Sequence, residues 1–226
     1  MKVGTDALIL GAWAGESMTN PTQILDVGTG SGILALMLAQ RFPSARVDAV
    51  ELEPDAAAQA IENAAQSPFA DHIVVHSQAV QAWEGTPCDL VVCNPPFFHD
   101  HPKSIDRKRN LARHDDSLPL TTLFKQAKRV LKEGGELAFV FPSDRDQEVL
   151  ALGKEAGMCA LEHIQLRANP AHDVVRSLWS WRCSGRSTAS STEVRNIEDR
   201  GHQTWAPWLS QRLSDFLLPG GQQPST

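Results

Sequence analysis

Little in this sequence points to metal, membrane or export. There are four cysteines, Cys88, Cys93, Cys159 and Cys183, and no two stand at C-x-x-C spacing. That argues against a zinc ribbon or a disulfide framework and leaves the thiols as reduced packing residues. No run reaches the roughly 18 apolar residues that a membrane-spanning helix needs. The apolar stretch from Ala7 to Ala14 is short, and Asp6 stands where a secretion signal would be basic, so a cytoplasmic chain is expected. Positive charge is also in short supply. The chain has 21 Lys and Arg against 27 Asp and Glu, a net charge of −6. A polyanionic partner must then be held by a local basic patch, not by the field of the whole molecule. No internal repeat is visible, and no feature calls for an obligate protein partner.

What is present is an ordinary globular composition, 42% hydrophobic and 21% charged over 226 residues. This is enough for one well-buried domain spanning 1–226. Apolar strands are expected at Ile24–Val27, Val47–Val50, Ile73–His76, Asp89–Cys93 and Glu136–Phe141. Helical segments alternate with them, at Ile33–Gln40, Asp55–Gln66, about Leu120–Leu131 and about Gln147–Ala156. Pro54 stands where the second of these can start, and Gly157 where the last can end. Ala160–Leu166 and Ser177–Arg182 read as antiparallel edge strands. Strands alternating with helices at this spacing predict a doubly wound α/β sheet. The Ser-, Gly- and Thr-rich stretch 184–192 reads as a flexible connector. Beyond it, 193–218 is expected to dock on the core, with a strand near Val194–Ile197 and a helix over Pro207–Leu218. Its apolar stripe is Trp205, Trp208, Leu209, Leu213, Phe216 and Leu217.

Two loops carry chemistry. Asp26-Val-Gly-Thr-Gly-Ser-Gly32 joins the first strand to a helix. Glycines at Gly28, Gly30 and Gly32 tolerate unusual dihedrals and let a ligand lie on the backbone. In a doubly wound sheet such a loop faces the ligand crevice at the carboxyl ends of the strands. Glu51, about 20 residues on, ends the second strand and can accept two ribose hydroxyls. A nicotinamide enzyme would use the same acid, so Glu51 does not choose between nucleotide cofactors. Thr5 and Asp6 precede the first strand and can reach the other end of such a cofactor; Asp6 is equally a candidate helix N-cap.

The second loop is Asn94-Pro95-Pro96-Phe97. Two prolines fix φ and remove N–H donors, so the carbonyls before them are held stiffly. The Asn94 side-chain oxygen and the Pro95 carbonyl can each accept one hydrogen of a substrate –NH2, drawing that nitrogen toward sp3 and aiming its lone pair. Phe97 or Phe98 can stack on a flipped base, worth about 1–3 kcal/mol. Together the loops point to methyl transfer from S-adenosylmethionine to an exocyclic or amide nitrogen.

With these residues in view, the chain resembles the bacterial tRNA1(Val) (adenine-37-N6)-methyltransferase family. The likeness rests on Lys2-Val-Gly-Thr-Asp6, Gly11-Ala-Trp13, Asp26–Gly32, Glu51, Asn94–Phe98, Ala112-Arg-His114 and Asp215-Phe-Leu-Leu218. It implies a class I S-adenosylmethionine-dependent methyltransferase fold, Rossmann-like, with a seven-stranded sheet whose last strand is antiparallel. It also implies a tRNA anticodon loop as partner. The family's segment ahead of Lys-Val-Gly-Thr-Asp has no counterpart before Met1. Where the family carries an acid after the third strand, this chain has Ser77-Gln78-Ala79, so Gln78 or a backbone carbonyl would take the cofactor's adenine amine. Phe97 replaces the family's Tyr. From His101 to His114, five cations (Lys103, Arg107, Lys108, Arg109, Arg113) face one acid, Asp106. With His114 they form the expected grip on phosphates flanking the extruded base; Arg176 is a weaker candidate. The alternatives keep the chemistry and change the acceptor, to guanine N2 of ribosomal RNA or glutamine N5 of a protein, or make the chain a catalytically weak RNA-binding relative.

Overall fold

The computed structural model describes residues 4–95, 118–184, 192–199 and 204–216. One eight-stranded sheet organises them, in the order β3-β2-β1-β4-β5-β7-β6-β8. Its strands are β1 (Gln23–Val27), β2 (Arg46–Glu51), β3 (Ile73–Ser77), β4 (Cys88–Cys93), β5 (Leu131–Pro142), β6 (Cys159–Arg167), β7 (Val174–Arg182) and β8 (Glu193–Asn196). The first five are parallel to one another, and β7 runs antiparallel between β5 and β6. The chain therefore has the class I methyltransferase arrangement with an eighth strand added, because β8 pairs parallel with β6, Glu193 against Ile164.

The helices are α1 (Thr5–Trp13), α2 (Ile33–Arg41), α3 (Pro54–Ala65), α4 (Leu120–Val130), α5 (Asp146–Glu155) and α6 (Pro207–Leu213). Strand periodicity sorts the core into two layers. Ala138 and Val140 of β5 face the layer of α1, α2 and α6, while Leu137, Phe139 and Phe141 face that of α4 and α5. The second layer is rich in aromatic edges: the Phe124 ring meets Phe139 at 5.8 Å and Trp181 at 5.3 Å, both near-perpendicular.

One expectation is corrected. β6 and β7 are not edge strands: β7 carries Leu178, Trp179 and Trp181 buried on both faces, and β8 covers β6. Glu133-Gly134-Gly135 forms an excursion within β5. Cys88 pairs with Leu131 but Leu90 with Glu136, and Gly134 takes φ 76° to make the bend. The connector expected at 184–192 lies mostly outside the described residues; Thr192 is held by the His163 ring, 2.9 Å from Nδ1 to Oγ1. After β8, α6 spans only Pro207–Leu213, with Leu209 and Leu213 fully buried against the first layer. The Trp208 indole donates to Asn196 O at 2.7 Å, and Arg212 pairs with Glu16 beyond the end of α1.

The packing of α1 on α2 matters for the site. Gly11 lets the helices pack closely there, since a Cβ would stand 2.6 Å from Met37 Sδ and the methionine would have to shift. Arg41, in the last turn of α2, donates to the carbonyls of Gly11 and Ala14 at 2.7 and 2.8 Å. The two helices thus run side by side in the same direction, and their first turns lie at the same edge of the sheet. Among the described residues, no helix is long and apolar enough to cross a membrane.

Candidate active site

The order β3-β2-β1-β4-β5 reverses direction between β1 and β4, which opens a crevice at their carboxyl ends. Val27, the last residue of β1, pairs with Val50 of β2 on one side and Cys93 of β4 on the other. The glycine turn, Glu51 and Asn94 therefore leave the sheet next to one another. Glu51 in turn pairs with Ser77 of β3, so Gln78 emerges one strand further along the same edge. Its backbone N–H is turned back to His76 O at 3.0 Å.

The turn is stitched down from several sides. The amides of Gly28 and Thr29 donate to Val50 O at 2.8 and 3.1 Å, and Gly32 N–H donates to Thr29 O at 3.0 Å. Gly28, Gly30 and Gly32 have φ of 71°, 57° and 85°, a region where an L side chain is strained. Gly28 has open space where a Cβ would stand; a Cβ at Gly32 would touch Ala60 of α3 at 3.4 Å. At the last glycine the backbone angle is what disfavours a side chain, and the first also leaves room. Glu51 braces the turn: its Oε2 accepts Gly30 N–H at 2.8 Å and its Oε1 accepts Glu53 N–H at 3.0 Å. A carboxylate oxygen has more than one lone pair, so both keep acceptor capacity for a ligand.

Asp26 lies beneath the turn with no exposed surface. Its Oδ2 accepts the Thr29 hydroxyl at 2.5 Å, while Oδ1 is buried and has no partner. Burial pushes its carboxyl up to about 7, an effect that the Thr29 hydroxyl and the Ala35 amide only partly offset and that nearby Glu51 adds to. The Cys93 thiol, also buried, is raised well above its usual range by that burial and by the same two acids.

Thr5 is the first residue of α1, and Asp6 is not its cap. Gly4 occupies the N-cap position with no side-chain hydrogen bond, while the Asp6 carboxylate takes Arg176 Nε at 3.0 Å. Arg176 stands opposite Pro142 on β7 and is tied to this acid. Of the acceptor loop, Asn94 is half-buried and Pro95 buried. Pro96, Phe97, Phe98, Lys103, Arg107, Lys108, Arg109, Arg113 and His114 lie outside the described residues. Three contributors were not singled out from the sequence: Thr29, Cys93, and Asn63 of α3, whose side-chain amide donates to Ser31 O at 2.8 Å. Thr29 stood inside the motif and could have been found there. Asn63 carried no local signal.

Comparison with known proteins agrees with this geometry. The family model described as "Methyltransferase small domain" matches residues 7–164. A tRNA1(Val) (adenine(37)-N6)-methyltransferase of Porphyromonas gingivalis is 42% identical over 190 residues, covering 80% of this chain and 74% of the relative. One of the same description from Aeromonas hydrophila is 45% identical, covering 71% and 68%. In structure, a protein from Agrobacterium tumefaciens described as a predicted O-methyltransferase superposes with a TM-score of 0.69 at 18% identity, over 93% of this chain and 96% of that one. A C-methyltransferase of Streptomyces coelicolor, solved with S-adenosyl-L-homocysteine, reaches 0.58 at 13% identity, over 77% and 79%. These two likenesses show the shared fold, and the sequence relatives show the family. The chain is a class I S-adenosylmethionine-dependent methyltransferase and belongs to the tRNA1(Val) (adenine(37)-N6)-methyltransferase family.

Proposed function

We propose that this enzyme methylates N6 of adenosine 37 in a valine tRNA, with the base extruded into a pocket formed by Asn94, Pro95, Pro96 and Phe97. One observation carries the reading: Val27 and Cys93 are paired, so the glycine turn and the Asn94 loop leave adjacent strands together. The residues at the turn suit the cofactor. Asp26 Oδ1 is a buried acceptor without a partner, the Gly28 backbone is open, and Glu51 has lone pairs available to ribose hydroxyls. Thr5 and the first turn of α1 border its amino-acid end, and Gln78 its adenine.

When bound, S-adenosylmethionine supplies an electrophilic methyl carbon on a sulfonium. Asn94 Oδ1 and the Pro95 carbonyl accept the two N6 hydrogens, which withdraws the nitrogen lone pair from the ring and directs it at that carbon. With the cofactor held at the glycine turn and Glu51, its methyl group would pass to the N6 held by Asn94 and Pro95, and the surplus N6 proton would pass to solvent. No strong base is required, because the leaving group is already cationic. Positioning of this kind can lower a barrier by about 7–11 kcal/mol. Phe97 and Phe98 stack on the base, and Lys103, Lys108, Arg109, Arg113 and His114 hold the flanking phosphates.

The direct test uses tRNA lacking N6-methyladenosine and cofactor labelled in its methyl group, with the label located by nuclease digestion and mass spectrometry. Label at N6 of adenosine 37 is expected. Label on guanine N2 or on a protein glutamine, or none at all, would overturn the proposal.

A further inference from the structure

The ion pair between Asp6 and Arg176 joins residues 170 apart in sequence, and neither side chain is more than about a quarter exposed. We propose that Arg176 is a positioning residue for the cofactor: its hold on Asp6 sets the first turn of α1 level with the glycine turn. This rests on the function proposed above and assigns Arg176 a task other than gripping phosphate.

Three observations converge on it. First, the contacts of Gly11 with Met37, and of Arg41 with the Gly11 and Ala14 carbonyls, align α1 beside α2. The start of α1 is tied to Arg176, opposite Pro142, and Ser17 beyond its end is bonded to Glu136, so α1 starts at the carboxyl edge of the sheet, as α2 does after the glycine turn. Second, α1 is anchored by other means at its far end. There the Trp13 indole donates to Glu162 at 3.2 Å, Ser17 to Glu136 at 2.7 Å, and Glu16 pairs with Arg212. At its start, Gly4 caps the helix without a side-chain bond. The described side-chain tie in the first turn is that between Asp6 and Arg176. Third, Arg176 reaches it from β7, where it pairs with Pro142 at the carboxyl end of β5. The tie thus runs from the rim of the sheet, on the side where the crevice opens, to the first turn. Burial of α1 sets its tilt and depth, since Ile9 and Leu10 are fully covered, but apolar packing is non-directional and fixes axial height poorly. A directional charged bond supplies that restraint.

The experiment compares full-length wild type with Asp6→Asn, Arg176→Gln, Arg176→Lys and the exchanged double variant Asp6→Arg/Arg176→Asp. Titration calorimetry measures S-adenosylmethionine affinity, filter binding measures tRNA affinity, and thermal denaturation reports folding. Asp6→Asn and Arg176→Gln should each weaken cofactor binding about five- to tenfold, a usual size for coupling through a conformational restraint. Tm should move by no more than about 4 °C and tRNA affinity should hold. KM for the cofactor should rise while kcat stays near wild type. Arg176→Lys should fall between, and the exchanged pair should recover most of the loss.

Unchanged cofactor affinity in Arg176→Gln overturns the proposal, as does a loss confined to tRNA binding. Loss in Asp6→Asn alone, with no recovery on exchange, makes Asp6 a direct ligand and also overturns it. Wild type that fails to bind S-adenosylmethionine would instead undo the proposed function.

Discussion

Asp26 and Asp89 sit on neighbouring central strands at opposite ends of the sheet, and the protein treats them in opposite ways. Asp89 is the second residue of β4, at the amino end. Burial alone would raise its carboxyl. The Lys132 ammonium, the amides of Thr22 and Gln23 and the Thr22 hydroxyl outweigh that effect and bring it down to about 2. Asp26 lies near the end of β1 at the carboxyl end, wholly buried and with one oxygen unpartnered, and is pushed up to about 7. Around Asp89 the hydrogen bonds close on the protein itself. Around Asp26 the site is left unfinished, with an orphan acceptor and an open glycine in a turn that glycine makes without strain. An unsatisfied buried polar group costs about 1–3 kcal/mol. At Asp26 it lies beneath the crevice where a ligand is expected, and that separates this acid from Asp89.

The sharpest way to break this contrast is a substitution at the carboxyl end that harms binding more than folding. Gly28→Val should cost about 1–2 kcal/mol of folding stability for φ of 71°, while filling the open space and lowering S-adenosylmethionine affinity by about a hundredfold or more, roughly 3 kcal/mol. Calorimetry and thermal denaturation on the same samples check both halves. Equal losses in binding and folding would erase the distinction.

Stability as a function of pH sharpens it. A carboxyl raised in the folded state contributes stability that is present below its ordinary value near 4 and is lost as pH rises through about 7. Asp26→Asn should therefore gain on wild type between pH 4 and 7, by on the order of 4 kcal/mol. Asp89 is depressed, so its contribution is present above pH 4 and lost as pH falls through about 2; Asp89→Asn should flatten only that acid limb. Denaturant titrations across pH, without cofactor, read out both. A gain by Asp26→Asn at acid pH would contradict the assignment.

The glycine turn and the Asn94-Pro95 loop were legible in the sequence because each is local: spacing and residue type within a few positions set the backbone. Strands and helices in the parallel half followed from periodicity for the same reason, and Ile24–Val27 needed only one added residue at its start. What was illegible depends on distant partners. Asp6 read equally well as a ligand or a helix cap until Arg176 stood against it. β6 read as an edge because the pairing that covers it comes from Glu193–Asn196, beyond a segment with no periodic signal. Glu51 was expected at the ribose, but its bond to Gly30 N–H shows that it also builds the turn.

Two smaller effects complete the comparison. Lys108→Glu combined with Arg109→Glu should weaken tRNA binding about tenfold at low salt, less at moderate salt, and leave cofactor affinity alone; filter binding at two ionic strengths decides it. Lys132→Ala removes a partly exposed partner of Asp89, 2.7 Å away, and should cost no more than about 1 kcal/mol of stability, with methylation unchanged.

The central claim is that the Asn94 loop presents acceptors to the substrate amine and takes no part in holding the cofactor. Asn94→Ala tests it when calorimetric affinity for S-adenosylmethionine and single-turnover methylation of unmodified tRNA are measured together. Affinity should stay within about twofold of wild type while methylation falls by about a hundredfold or more. Undiminished turnover, or a parallel loss of cofactor binding, would contradict it.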